Sequence, residues 1–160
     1  MPTLAVRPAL PQDEPFMYDL YHAVRAPEFA YTAISEAQKQ QLIRMQFRAQ
    51  MGSYAAQFPN SCYHIVLLDG NPVGRLWVAQ QDEEFHLVDI AILPDLCSKG
   101  IGSALIQRLQ GDAQQARMPI RSMVFRFNPG SLRFHQRNGF KIVREDLMYY
   151  YMEWRPAPLV

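Results

Sequence analysis

The chain has 160 residues, 49% of them hydrophobic and 19% charged, with a formal net charge of +1. A chain of that size and apolar content buries one good core, which excludes disorder and sets the expectation of a single domain over residues 1–160. The near-neutral charge gives no bulk attraction to nucleic acid or to an anionic membrane. Cys62 and Cys97 are too few for a disulfide framework and read as free thiols in a reducing compartment. Met1-Pro2-Thr3-Leu4 opens no basic-then-apolar leader, and no apolar run approaches ~18 residues, so a soluble cytoplasmic protein is expected.

Residues 3–7 alternate like a short strand, closed by Pro8 and Pro11. Asp13 is placed to cap a helix with Pro15 in its first turn, and Phe16, Leu20, Tyr21 and Val24 form its apolar face up to Pro27. Residues 28–33 are a linker carrying Phe29 and Tyr31. Ser35-Glu36-Ala37-Gln38 matches a capping box, and the Gln-rich helix after it runs to about Gln57, with Ala37, Leu42, Met45 and Ala49 roughly on one apolar face. The period then changes to two. Strands over Cys62–Leu68, 73–79 and 85–93 make an antiparallel meander, joined by turns at Asp69-Gly70-Asn71-Pro72 and Gln81-Asp82-Glu83. Ile101, Leu105, Leu109 and Ala113 recur every four residues as a helix laid on a sheet, and a strand over 120–127 follows Pro119. Asn128 as N-cap and Pro129 open a short helix that ends at Asn138-Gly139. Residues 140–143 and 147–154 form a hairpin around Arg144-Glu145-Asp146, and 156–160 is a frayed tail. The order β-α-α-β-β-β-α-β-α-β-β predicts an α/β fold, a mixed sheet with helices on both faces.

The stretch from Pro94 to Leu105 carries the chemistry. A polar loop follows an apolar strand, Gly100 and Gly102 bracket Ile101, and a helix begins. Unpaired N–H groups and the helix dipole at such a start suit a phosphate-bearing ligand. A dinucleotide fingerprint would need glycine where Leu105 stands, and a nucleotide P-loop would need Gly-Lys-Ser/Thr; neither is present.

Leu93-Pro94-x-x-x-x-Lys99-Gly100-Ile101-Gly102-Ser103-Ala104-Leu105, followed by Asn128-Pro129-x-Ser131-x-x-Phe134-His135-x-x-x-Gly139-Phe140, resembles the GCN5-related N-acetyltransferase (GNAT) superfamily. With the order of elements, the resemblance covers residues 3–154. It implies a sheet splayed between its fourth and fifth strands, with acetyl-CoA in the splay. The pantetheine amides would pair with the backbone at Ile90 and Ile92. The pyrophosphate would rest on the N–H groups of Ser98, Lys99, Gly100, Ile101, Gly102 and Ser103, and Asn128, Ser131 and Phe134 would lie beside the cofactor. Two positions depart from the family pattern. Cys97 stands where Gln or Arg is usual, which implies a weaker cofactor contact. His135 stands where many members carry a tyrosine that protonates the departing thiolate; an imidazole of pKa ~6.5 suits the same task.

The implied activity moves an acetyl group from acetyl-CoA to a primary amine of a small molecule or protein, directly within a ternary complex. An alkyl ammonium of pKa ~10 must lose a proton first. His86 and Asp89, on the fourth strand, are the candidate bases; strand alternation sets them on opposite faces unless a bulge intervenes, and Asp89 alternatively ties down Arg75. Tyr18, Tyr21, Tyr31, Tyr54 and Phe58 either line an acceptor pocket or belong to the core. His64 has no second ligand at metal spacing, and neither metal, nucleic acid nor membrane is expected; a monomer or homodimer is. The rival reading is a degenerate GNAT fold, a CoA-binding or protein-interaction module without transferase activity.

Overall fold

Segments of period two form strands and those of period 3.6 form helices, in the expected order. The computed structural model describes residues 2–159; Met1 and Val160, the last residue of the expected frayed tail, lie outside the described residues. The elements are β1 (Leu4–Pro8), α1 (Glu14–Arg25), α2 (Glu36–Gln57), β2 (Cys62–Leu68), β3 (Asn71–Gln80), β4 (Phe85–Ile92), α3 (Ile101–Ala116), β5 (Ile120–Phe125), α4 (Pro129–Arg137), β6 (Lys141–Glu145) and β7 (Tyr149–Trp154). The strands form one mixed sheet in the order β1-β2-β3-β4-β5-β7-β6. Strands β4 and β5 pair in parallel, through the α3 crossover that such a pair requires. Their register runs from Phe85↔Ile120 to Leu87↔Ser122 and stops, although β4 continues to Ile92 and β5 to Phe125. The sheet is therefore splayed there, as expected. Among the described residues no helix is long and apolar enough to cross a membrane.

The chain divides into two compact units, one up to Trp77 with Asp89–Lys99, the other Val78–Val88 with everything from Gly100 onward. In the first, Met17 and Tyr21 of α1, Ile43 and Phe47 of α2, and Ile65 of β2 form the core. The expected apolar face of α2 is corrected: Leu42 and Met45 are 39% and 60% exposed, while Ile43 and Phe47, one turn apart, are buried. The aromatic side chains of α1 decide this, with Tyr18 and Tyr21 packing on the Phe47 ring at 5.7 and 5.5 Å between centroids. Val24 likewise turns outward and Met17 inward on α1. The Ser35 capping box forms as read, with Gln38 N–H donating to Ser35 Oγ at 3.2 Å and Ser35 N–H to Gln38 Oε1 at 3.0 Å. The β2–β3 turn is two residues, not four. Asp69 and Gly70 both take positive φ, 51° and 83°, which matches the twist of the flanking strands and lets Asn71 and Pro72 join β3. In the second unit, Ile101, Leu105, Ile106, Leu109 and Ala113 of α3 are buried. The final turn falls two residues later than read, because the Asp146 carboxylate accepts from the Met148 and Tyr149 N–H groups at 2.8 and 2.7 Å.

Asp13 does not cap α1 with its side chain. Its carboxylate pairs with Arg7 at 2.7 and 2.8 Å and accepts the Leu10 N–H at 2.7 Å, tying β1 to the turn before α1. The Arg7 hydrogen bond, followed by that of Leu10, holds its pKa down to about 2. Folded Asp13 thus binds its proton less readily than unfolded Asp13, so this contribution is complete above the unfolded pKa of ~3.9 and is lost as pH falls through about 2. The melting-temperature gap between the wild type and Asp13→Asn is expected to be constant above pH ~5 and to close toward pH ~2. Circular-dichroism melts across that range check it.

Candidate active site

In the first unit β3 and β4 approach closely at Gly74. A Cβ there would lie 2.5 Å from the Ala91 carbonyl oxygen and 2.7 Å from Ile92 Cδ1, so only glycine fits without a backbone shift. One residue on, Arg75 forms an ion pair through Nε with Asp89 Oδ2, and its Nη2 donates to Gln50 Oε1 of α2 at 3.0 Å. Asp89, an expected base, is therefore already the partner of a buried cation. The chain then leaves β4 through a tight 3-10 turn, Pro94–Lys99, in place of the open loop read from sequence. The Cys97 thiol folds back to donate to the Ile92 carbonyl at 3.3 Å, and burial pushes its pKa up, away from a nucleophilic thiolate. Ser98 and Lys99 are exposed.

Backbone bonds show a second feature of β4. Gln81 N–H donates to the Glu84 carbonyl at 2.8 Å near the turn, and Leu93 N–H to the Val73 carbonyl at 2.8 Å at the far end. Between these rungs β3 advances eight residues and β4 nine, counted from the same bonds, so β4 carries one extra residue, a β-bulge. The burial pattern agrees: Phe85 and Leu87 are buried, then parity changes and Ile92 is buried.

In the second unit Gly100 adopts φ 79°, the left-handed conformation that glycine allows, and starts α3. No side chain caps this N-terminus, so the first-turn N–H groups keep their donor capacity. A Cβ on Gly102 would meet the Phe134 ring at 3.0 and 3.2 Å, and Ser103 Oγ accepts from Asn138 Nδ2 at 3.2 Å. Gly102, Ser103 and Phe134 are thus brought together. Asn128 caps α4 by accepting the Ser131 N–H at 3.1 Å, as read. His86 lies opposite Arg121 on β5, with Nδ1 3.9 Å from Glu84 Oε2. Burial, and then the Arg121 charge, push its pKa below the ordinary histidine value, so it is neutral at pH 7.

His135 differs from expectation. It is 4% exposed, its Nδ1–H donates to the Ser131 carbonyl at 2.8 Å, and Nε2 lies 3.1 Å from Ser122 Oγ. Burial pushes its pKa down against a smaller upward pull from Ser131, so the ring is neutral, with its one N–H already engaged. No proton is presented to a departing thiolate in this arrangement. Ser122 and Gln50 carried no motif; the available signal was their polarity among apolar neighbours of a strand and a Gln-rich helix.

A sheet splayed after β4, a bulged fourth strand and an uncapped glycine start to α3 define an acyl-CoA-binding acetyltransferase architecture. The acetyltransferase (GNAT) family model matches residues 18–140, and the chain belongs to that family. The PaiA N-acetyltransferase of Thermoplasma acidophilum, solved with coenzyme A, matches with a TM-score of 0.73 and 17% identity over 96% of this chain and 99% of that one. An acetyltransferase of Thermus thermophilus matches at 0.68 and 20%, over 96% and 97%. The Campylobacter jejuni N-acetyltransferase PseH with acetyl coenzyme A matches at 0.60 and 17%, over 97% and 100%. These likenesses are of fold. The tRNA(Met) cytidine acetyltransferase TmcA of Haemophilus ducreyi is 35% identical over 75 residues, 44% of this chain but 12% of TmcA. Acetyl-CoA is the donor that accompanies this family, and the α3 start fits it: the N–H groups are uncapped and glycine keeps side-chain bulk away.

Proposed function

We propose that the two units work as one cytoplasmic acetyltransferase domain that acetylates a primary amine, on a small molecule or a protein, by direct transfer in a ternary complex. The observation that carries this reading is the glycine start of α3, whose first-turn N–H groups no side chain caps. The N–H groups of Ser98 to Ser103 hold the pyrophosphate, and the backbone at Ile90 and Ile92 pairs with the pantetheine arm. Acetyl-CoA supplies an activated thioester. His86, neutral at pH 7, takes a proton from the acceptor ammonium. The amine nitrogen then bonds to the thioester carbonyl carbon, whose oxygen a backbone N–H near Ile90 stabilises; the C–S bond breaks, the proton that the attacking nitrogen still has to lose passes to the departing thiolate, and thiol and amide leave. The raised Cys97 thiol supports direct transfer over a covalent relay. His135, Asn128, Ser131 and Phe134 hold α4 against this site, with His135 as a neutral strut.

The test is acetyl-CoA titration by calorimetry followed by thiol release over spermidine, tyramine, a lysine-containing peptide and a peptide with a free N-terminus. Binding, and release with at least one amine, is expected. The TmcA match adds unmodified tRNA to the panel, and release with tRNA alone would replace the amine by a cytidine base. Binding without release for any acceptor would leave a CoA-binding module.

A further inference from the structure

Arg75 is a full positive charge in the middle of β3, 4% exposed, and such a charge is costly to bury without compensation. Its surroundings come from four elements. Asp89 of β4 supplies the carboxylate, Gln50 of α2 accepts a hydrogen bond, and Tyr21 of α1 lies with its ring centroid 5.7 Å from the guanidinium. The phenols of Tyr63 on β2 and Tyr54 on α2 complete the shell. Asp89 is the single carboxylate among them, so the pair is formally neutral.

The two partners are not equally enclosed. The Arg75 side chain is 5% exposed and that of Asp89 20%. Asp89 Oδ2 faces the guanidinium, while Oδ1 makes no hydrogen bond among the described residues and is not among the enclosed unpartnered atoms. The pair is thus enclosed on the guanidinium side and shows a single carboxylate oxygen outward. An unpaired carboxylate beside an amine would hold it as ammonium, which cannot attack a thioester. A neutralised one still accepts an N–H and orients the lone pair.

We propose that Arg75 is a positioning residue of the transfer reaction: it fixes and neutralises Asp89, whose outward oxygen orients the acceptor as a free amine. The proposal rests on the transferase reading, and the experiment separates the two. Wild-type thiol release with the amine panel is measured first; its absence removes the transferase reading and this proposal together. With the fastest amine, Arg75→Gln is expected to move the rising limb of the kcat–pH profile about one unit to higher pH, because Asp89 is left unneutralised. The KM for acetyl-CoA should stay within about twofold. Adding Asp89→Asn to Arg75→Gln should return the limb to its wild-type position, since both charges are gone. Arg75→Lys keeps the charge and loses the planar fork, so it should keep the limb and raise the acceptor KM; it also serves if Arg75→Gln fails to fold. An unmoved limb in a folded Arg75→Gln enzyme, or in its absence a shifted limb in Arg75→Lys, overturns the proposal. So does a double variant that stays displaced.

Discussion

Replacing Gly102 with aspartate is expected to weaken acetyl-CoA binding by on the order of 100-fold, equivalent to about 2.7 kcal/mol. Gly102 is the second residue of α3, where no side chain caps the first-turn N–H groups and the helix dipole is positive; on the proposed reading the pyrophosphate binds there. A carboxylate there competes for those donors and repels the pyrophosphate; a like-charge pair at ~4 Å near a surface costs about 4 kcal/mol before screening. Sterics also contribute, because any Cβ at this position meets the Phe134 ring at 3.0 and 3.2 Å. Gly102→Ala carries the steric part alone and should lose about tenfold or less, as the ring is the far end of a side chain that can shift. The aspartate should not melt below the alanine variant, since a negative charge in the first turn of a helix is favourable. Calorimetric titration of both variants with acetyl-CoA, with melts alongside, gives the comparison. Equal affinity for the two would place the pyrophosphate elsewhere.

Apart from the two misplaced hairpin turns, local signals were read correctly where the deciding atoms lie within a few residues. The Ser35 capping box, the Asn128-Pro129 start of α4 and the four-residue repeat of α3 are of that kind. Errors arose where a distant partner decides. Asp13 had the position of a helix cap, but Arg7 offers a paired, charge-assisted bond that a backbone N–H does not match. Leu42 and Met45 looked like the core face of α2, yet Tyr18 and Tyr21 from α1 select Phe47 and turn the helix. The bulge in β4 entered the sequence reading only as an alternative, because Phe85-His86-Leu87-Val88-Asp89-Ile90-Ala91-Ile92 contains neither glycine nor proline to mark it. The glycine start of α3 was legible because the left-handed backbone at Gly100 declares itself in residue type. The surroundings of the catalytic candidates were not, since they depend on which side chains of other strands face them.

His135 shows this most clearly, and its removal is expected to have the second large effect. The motif located it; Ser122 of β5 is what its second ring nitrogen faces. With one ring nitrogen on the Ser131 carbonyl, the other against Ser122, and Phe134 and Phe140 edge-on at 5.7 and 5.2 Å, the ring fills and satisfies an interior space. His135→Ala leaves a cavity and unpaired polar groups, and should cost about 2–4 kcal/mol of stability. The loss should depend on pH with a definite sign. Burial depresses the folded pKa, so below the unfolded value of ~6.5 the unfolded chain takes up a proton that the native chain does not. Wild-type stability from this residue is complete above pH ~7 and declines as pH falls through the unfolded pKa toward the folded one. Alanine has no such term, so the gap between the two proteins should narrow from pH 8 to about 5, measurable by urea unfolding. His86 shifts in the same direction but is present in both and cancels in the difference. Turnover separates strut from proton donor: His135→Gln, which keeps polar atoms inside, should retain kcat within about tenfold. A folded His135→Gln enzyme slowed by the 10²–10⁴ expected for a missing general acid would assign the thiolate's proton to His135, and the ring would then have to leave Ser122 or Ser131 during turnover.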